Sequence, residues 1–229
     1  MATVQVGQQI LQEDLKWARQ NSELFCRHRL VCLNMISSPG AGKTSILVET
    51  VRAIGDSIRI GVIEGDIETD LDARRVAQTG VPAIQINTKG ACHLSAFQVH
   101  QALQQLPLSN LDLVIIENVG NLVCPGVFEL GEHGKVVVLS TPEGDDKPAK
   151  YPAIFARSVA MLINKADLLG HGVLDFDLQK AIGQARLLNS NLEVFVVSAR
   201  TGQGLGPWCQ WLKRQVELQR ALFRDQQTG

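Results

Sequence analysis

At 229 residues the chain is long enough to bury a full core as one α/β domain. Its 45% hydrophobic and 20% charged residues exclude a disordered or membrane-embedded class, and a formal net charge of −1 argues against a nucleic-acid-binding surface. Five cysteines, an odd number without dense spacing, do not describe a secreted disulfide framework; they read as core residues or ligands in a reducing compartment.

No apolar run reaches the length of a membrane span, and MATVQVGQQ has neither the basic nor the apolar region of a secretory leader. A cytoplasmic chain with no membrane and no nucleic-acid partner is therefore expected. Residues 8 to 28 set Leu11, Leu15, Ala18 and Phe25 at near-helical spacing. This amphipathic helix, within a segment 1–29, is expected to pack on a main domain of residues 30–229. Cys26 and His28 lie close together here, but two ligands without a third read as partly buried structural residues. The segment has no cysteine cluster or histidine tract of the kind that stores metal.

The strand LVCLNMI then stops at a small-residue turn, SSPGAGKTS, that runs through Gly40, Gly42, Lys43 and Thr44 into the helix-compatible SILVETVRAI. Small residues let backbone N–H groups curl round phosphate oxygens. The helix N-terminus adds partial positive charge, Lys43 reaches the β/γ-phosphates, and Thr44 offers its hydroxyl to Mg²⁺. The pattern G-x-x-x-x-G-K-[ST] would place glycine at position 37, where this chain has Ser37, so the match is relaxed at one end. A glycine turn that binds nothing is the plainer alternative; the GKT ending after an apolar strand favours the phosphate loop.

The strand IRIGVIEGD ends in Glu64, Gly65 and Asp66, and IETDLDARRVAQTG reads as a loop into a helix that stops at Gly80. A carboxylate at the end of a parallel strand lies on the ligand-binding edge, so Asp66 is positioned for Mg²⁺ or the attacking water; a helix N-cap or turn aspartate is the other reading. Asp72 reads more as a first-turn helix charge. PAIQI is a further strand. In NTKGACHLSAFQVHQALQQL, Cys92 and His93 stand at the opening of a helix pattern, with His100 two turns on and read as solvated. LDLVIIENVGNLVCPG supplies a buried strand, the terminal acid Glu117, and a loop carrying Cys124. Glu117 would hold Mg²⁺ through water, and Gly120 would let its N–H approach a γ-phosphate. Asn121 stands where Ras-type GTPases place a water-orienting Gln, so slow hydrolysis is expected. By spacing alone Cys92, His93 and Cys124 are a weak metal site, and core cysteines are the simpler reading.

KVVVLST is another strand, TPEGDDKPAKYP a polar, proline-rich loop, and SVAMLINKAD a strand into Asn164, Lys165 and Asp167. The aspartate of NKxD accepts from N1–H and the 2-amino group of guanine. Adenine has neither donor, so unpaired acceptors would reject it. A surface helix cap is the alternative. LEVFVVSARTGQG adds a last strand with Ser198, Ala199 and Arg200 at the base edge, and a terminal helix follows with Trp208, Leu212, Val216 and Leu222 on an apolar face.

Together, SSPGAGKT, EGDIETDLDARR, GACHL, ENVGNLVCP, EGDDKPAKYP and NKADLL resemble the HypB family, the nickel-insertion GTPases of [NiFe]-hydrogenase maturation, over about residues 30 to 205. The resemblance implies an α/β fold, a P-loop NTPase three-layer sandwich with a mostly parallel central sheet. It implies hydrolysis of GTP to GDP with Mg²⁺ and a homodimer controlled by nucleotide state. The family's phosphate loop falls on Gly40, Ala41, Gly42, Lys43, Thr44 and Ser45, its Mg²⁺-linked carboxylates on Asp66 and Glu117, and its guanine motif on Asn164, Lys165 and Asp167. Its metal ligands for Ni²⁺ or Zn²⁺ fall on Cys92, His93 and Cys124, and its partners are hydrogenase maturation proteins and the hydrogenase large-subunit precursor. Thiolate and imidazole suit either metal, and affinity alone does not choose between them. Three ligands from one subunit leave the shell incomplete, which fits a site shared across a dimer or built for release. Rival readings are a UreG-like urease accessory GTPase, which usually carries Cys-Pro-His where Cys92 and His93 are joined, and a chaperone for cobalamin-dependent mutases. A non-hydrolysing, GTP-bound scaffold with a structural metal is the third.

Overall fold

The structure, a computed structural model, describes the backbone of residues 3–66, 71–172 and 174–225, with side chains over 12–65, 74–172 and 174–222. The chain opens with α1 (Thr3–His28), β1 (Val31–Ser37), α2 (Lys43–Ile54), β2 (Ile60–Asp66), α3 (Leu71–Ala77), β3 (Ala83–Asn87) and α4 (Ala96–Leu103). It continues through β4 (Leu113–Gly120), the single turn α5 (Cys124–Val127), β5 (Gly134–Ser140), α6 (Lys147–Lys150), α7 (Pro152–Arg157) and β6 (Ser158–Asn164). Last come α8 (Leu178–Leu188), β7 (Glu193–Val196) and α9 (Leu205–Asp225). None of the described helices is long and apolar enough to cross a membrane.

Among the described residues, seven strands form one sheet in the order β3-β2-β4-β1-β5-β6-β7, every neighbouring pair parallel. β1 is buried along its whole length, which is what an apolar run without alternation produces in a parallel sheet covered on both faces. Parallel pairing brings the carboxyl ends of all strands to one edge, where Ser37 lies opposite Gly120 and Ser140 opposite Asn164. Ligands bind along that edge in open α/β sheets.

One layer, α2, α3 and α9, covers Leu33, Met35, Val62 and Ile115 of the sheet. Trp208 and Trp211 are its largest buried side chains, and the Trp208 indole N–H donates to Thr50 Oγ1 at 3.0 Å, fixing α9 on α2. Burying each such side chain is worth about 1.5–3 kcal/mol. On the other face α1 and α4 cover Cys32, Ile63, Val114 and Ile116, while α7 and α8 cover Ile36, Val137 and Met161. The result is the three-layer α/β sandwich of the sequence reading, with an all-parallel sheet.

Three local expectations are corrected. The sequence reading assigns no element to the stretch that forms α8. That helix buries Ala181 and Ala185, whereas Leu187 is 88% exposed, so its apolar period is faint. Leu15 on α1 and Leu222 on α9 are exposed; Ala18 and Phe25 carry the buried face of α1. After Val216 the tail of α9 is held by polar contacts instead, Gln219 to His133 and Arg220 to Asp112. His100 is half-buried instead of freely solvated, and it does not join the Cys92, His93 and Cys124 group: its Nδ1 pairs with Asn21 Oδ1 at 2.9 Å and its ring packs on Trp17.

Candidate nucleotide and metal site

Between β1 and α2 the chain turns through Gly40 at φ +74° and Gly42 at φ +96°. Both conformations are left-handed, which is why glycine stands there. Gly42 is the N-cap of α2 and supplies no side-chain hydrogen bond, so the first N–H groups of the helix face outward as an anion site. Lys43, nearly buried, donates from Nζ to Ser37 Oγ at 3.0 Å and lies 3.9 Å from Glu117 Oε1. Ser37, at the position that relaxed the motif, thus orients the lysine.

Thr44 Oγ1 donates to Glu117 Oε1 at 2.8 Å. A hydroxyl and a carboxylate converging beside a helix N-terminus form a hard-oxygen set, and these residues fit Mg²⁺. Glu64 is opposite Glu117 in the β2–β4 register, and both are buried. The backbone of Asp66 ends β2 at the same edge, but its side chain, like that of Asp72, lies outside the described residues. Gly120 touches the phosphate loop from β4: a Cβ there would stand 2.9 Å from Pro39 Cα.

The NKAD segment closes over the loop from β6. Asn164 Nδ2 donates to the Ala41 carbonyl at 2.9 Å and its Oδ1 accepts from Ala199 N–H at 3.1 Å. Lys165, itself left-handed at φ +61°, donates from Nζ to the Gly40 carbonyl at 2.8 Å. Ser198 Oγ donates to Asp167 Oδ1 at 2.6 Å, and Arg200, mostly exposed, lies 4.0 Å from Asp167 Oδ2. Ser198 and Ala199 therefore brace Asp167 and Asn164 respectively. A cleft of about 430 Å³ runs past Gly42, Ser45, Asp167 and Arg200. Arg75 reaches it from α3, donating to Ser45 Oγ at 3.1 Å.

Cys92, His93 and Cys124 come together on the far side of β4. Their ligand atoms all lie within 4.8 Å of one another, with Cys92 Sγ 3.0 Å from Cys124 Sγ and 3.4 Å from His93 Nδ1. Two thiols and an imidazole fit a borderline-soft divalent metal such as Ni²⁺ or Zn²⁺. The sequence reading put Cys92 and His93 at a helix opening; they precede the helix, in a loop held by the capping box of Ser95 and Gln98 on α4. His93 stacks on Phe128 with ring centroids 4.0 Å apart, and burial lowers its pKa against the opposing effect of Asp14. The hydrogen bond to Cys124, burial, and the charge of that neighbour all push the Cys92 thiol up. Cys26 and His28 join no such group among the described residues.

A family model described as CobW/HypB/UreG, nucleotide-binding domain, matches residues 32–195. The hydrogenase maturation factor HypB of Azotobacter chroococcum is 49% identical over 212 residues, covering 93% of this chain and 69% of its own. The chain belongs to the HypB family. Solved HypB structures agree in fold. The one from Archaeoglobus fulgidus has a TM-score of 0.83 at 34% identity over 90% of this chain and all of its own. The one from Helicobacter pylori, in complex with nickel, has a TM-score of 0.84 at 36% identity over 90% and 95%.

Some residues of this HypB-family site were not legible in the sequence. Asp14 on α1 accepts from Ala96 N–H at 2.8 Å and so reaches the start of α4; burial raises its pKa despite that bond. Nothing local marks it, because the contact joins residues 82 apart. Glu64 did leave a signal, an acid inside an apolar strand two residues before Asp66.

Proposed function

We propose that this chain is a GTP-hydrolysing metallochaperone that assists nickel insertion into a hydrogenase precursor, its nucleotide state controlling self-association and metal release. One observation supports this reading above the others. The end of β4 contacts the phosphate loop through Glu117 and Gly120, and one residue later it contacts the Cys/His cluster, since Asn121 Nδ2 donates to the Cys92 carbonyl at 3.2 Å. The name hydrogenase maturation factor carried by the relatives, and the nickel complex of the H. pylori protein, support nickel as the cargo and a hydrogenase precursor as the destination.

In this reading the loop amides of Gly40 to Ser45 and Lys43 stabilise phosphate charge, while Gly120 senses the γ-phosphate. Thr44 and Glu117 would hold Mg²⁺, which would supply charge neutralisation at the phosphates. Asp66 positions or activates the attacking water. Asp167 reads the guanine edge, held by Ser198, with Asn164 and Lys165 joining that motif to the loop. Asn121 is engaged with the metal loops instead of the water, in keeping with slow intrinsic turnover. Nickel passes from Cys92, His93 and Cys124 to the acceptor, and a second copy of the chain completes the ligand shell.

Phosphate release from GTP by wild type and Lys43→Ala tests the enzyme; equal rates would leave the GTP-bound scaffold instead. Nickel titration of Cys124→Ala tests the cargo site. Affinity is expected to fall at least tenfold, and an unchanged titration would remove the cluster from the reading.

A further inference from the structure

Asn121 occupies the position where a water-orienting side chain is expected, yet both ends of its amide face the metal loops. Nδ2 donates to the Cys92 carbonyl at 3.2 Å, and Oδ1 accepts from Val123 N–H at 2.8 Å. One end therefore holds the backbone of one cysteine, and the other holds the residue before the second. Cys92 and Cys124 are 32 residues apart in sequence, and their Sγ atoms lie 3.0 Å apart. The clamp grows directly from Gly120, whose backbone lies against Pro39 of the phosphate loop. A shift of that strand end relative to the loop carries the clamp with it.

We infer that Asn121 is a positioning residue that transmits nucleotide state to the metal site, by fixing the Cys92 and Cys124 segments relative to the end of β4. The inference rests on the nucleotide-coupled reading above and names the side chain that carries the coupling. Asn118 makes a second tie, its Oδ1 accepting from Leu94 N–H at 3.3 Å, but it is buried and also donates to Asn34, so changing it disturbs the core. Asn121 is only partly buried and can be changed with less disturbance.

Thermodynamic linkage gives a readout that a merely structural role would not move. If exchanging GDP for GTP changes nickel affinity by some factor, nickel changes the relative affinity of the two nucleotides by the same factor. A residue that only supports the fold weakens nickel binding in both states alike and leaves that factor intact. The test is competitive Ni²⁺ titration of the full chain, with GDP and with a non-hydrolysable GTP analogue, for wild type, Asn121→Ala and Asn121→Asp. The aspartate keeps the acceptor for Val123 N–H but sets a carboxylate oxygen against the Cys92 carbonyl, so it breaks only the arm between the loops. The wild-type ratio of dissociation constants is expected to differ from one by about fivefold or more. Both variants, still binding GDP, are expected to bring it to about one, and nickel should then leave their preference between the two nucleotides unchanged. Retention of the wild-type ratio by either variant would overturn the role of Asn121. A wild-type ratio of one would instead sink the coupled reading beneath it.

Discussion

Gly42→Ala tests the join between the phosphate loop and the base-reading motif with a single methyl group. Gly42 has φ 96° and ψ 31°, and a Cβ there would stand 2.5 Å from Asn164 Nδ2. The left-handed backbone costs an L-residue about 1–2 kcal/mol. Asn164 must also move, weakening its bonds to the Ala41 carbonyl and from Ala199 N–H, each worth about 0.5–1.5 kcal/mol. The combined loss is about 2–5 kcal/mol. Gly40→Ala is the control: its φ is +74°, but nothing lies within 4 Å of an added Cβ, so only the backbone cost applies. Urea denaturation with and without GDP measures both effects. Gly42→Ala is expected to lose more stability than Gly40→Ala and to bind GDP at least tenfold more weakly than wild type. Equal midpoints for the two variants, with GDP affinity within twofold of wild type, would refute the close contact between Gly42 and Asn164.

Asp167→Asn is expected to relax guanine preference toward xanthosine nucleotides, because the amide donates where the carboxylate only accepts; strict GTP preference in a competition assay would contradict the base-reading assignment. Asn21→Ala removes the donor to the Ala96 and Leu130 carbonyls, at 2.9 and 3.0 Å, in a fully buried site. A loss of about 2–4 kcal/mol follows, and Trp17 fluorescence should report the loosening of α1 from α4. Burial alone would raise the Asp112 carboxyl, but hydrogen bonds from Arg59 and Arg220 outweigh it and hold the group well below the usual carboxylate range. A depressed folded pKa means that this contribution is fully present above the ordinary carboxylate pKa of about 4 and is lost progressively as pH falls from there through the lower folded value. Both arginines are partly solvated, so Asp112→Asn should cost only about 1–2 kcal/mol at pH 7, and its gap from wild type should begin to narrow below about pH 4. A gap unchanged down to pH 3 in denaturation curves would show that the carboxylate charge contributes nothing.

The strands were legible because each is a short apolar run bounded by turn residues, and the phosphate loop and NKAD because their chemistry depends on residue types close in sequence. What the residues alone left open was everything that joins distant segments. Cys92 follows β3 and Cys124 follows β4, so they meet only through the parallel order β3-β2-β4, and spacing gave no reason to pair them. The same holds for Ser37 beneath Lys43 and for Ser198 on Asp167, whose side-chain contacts depend on loop curvature. α8 gives a weak signal because its fully buried residues are the alanines Ala181 and Ala185, Leu178 and Ile182 are only partly covered, and Leu187 and Leu188 are exposed. Leu15 and Leu222 misled for the complementary reason: helical spacing says which residues share a face, and packing decides how far that face is covered.

The most direct test of nucleotide state governing the metal site is gel filtration with light scattering and nickel analysis of each peak, in GDP and in a non-hydrolysable GTP analogue. A mass near twice the monomer with the analogue, a monomer with GDP, and a different nickel content per chain in the two are the expected result. The same mass and the same nickel content in both nucleotides would contradict it.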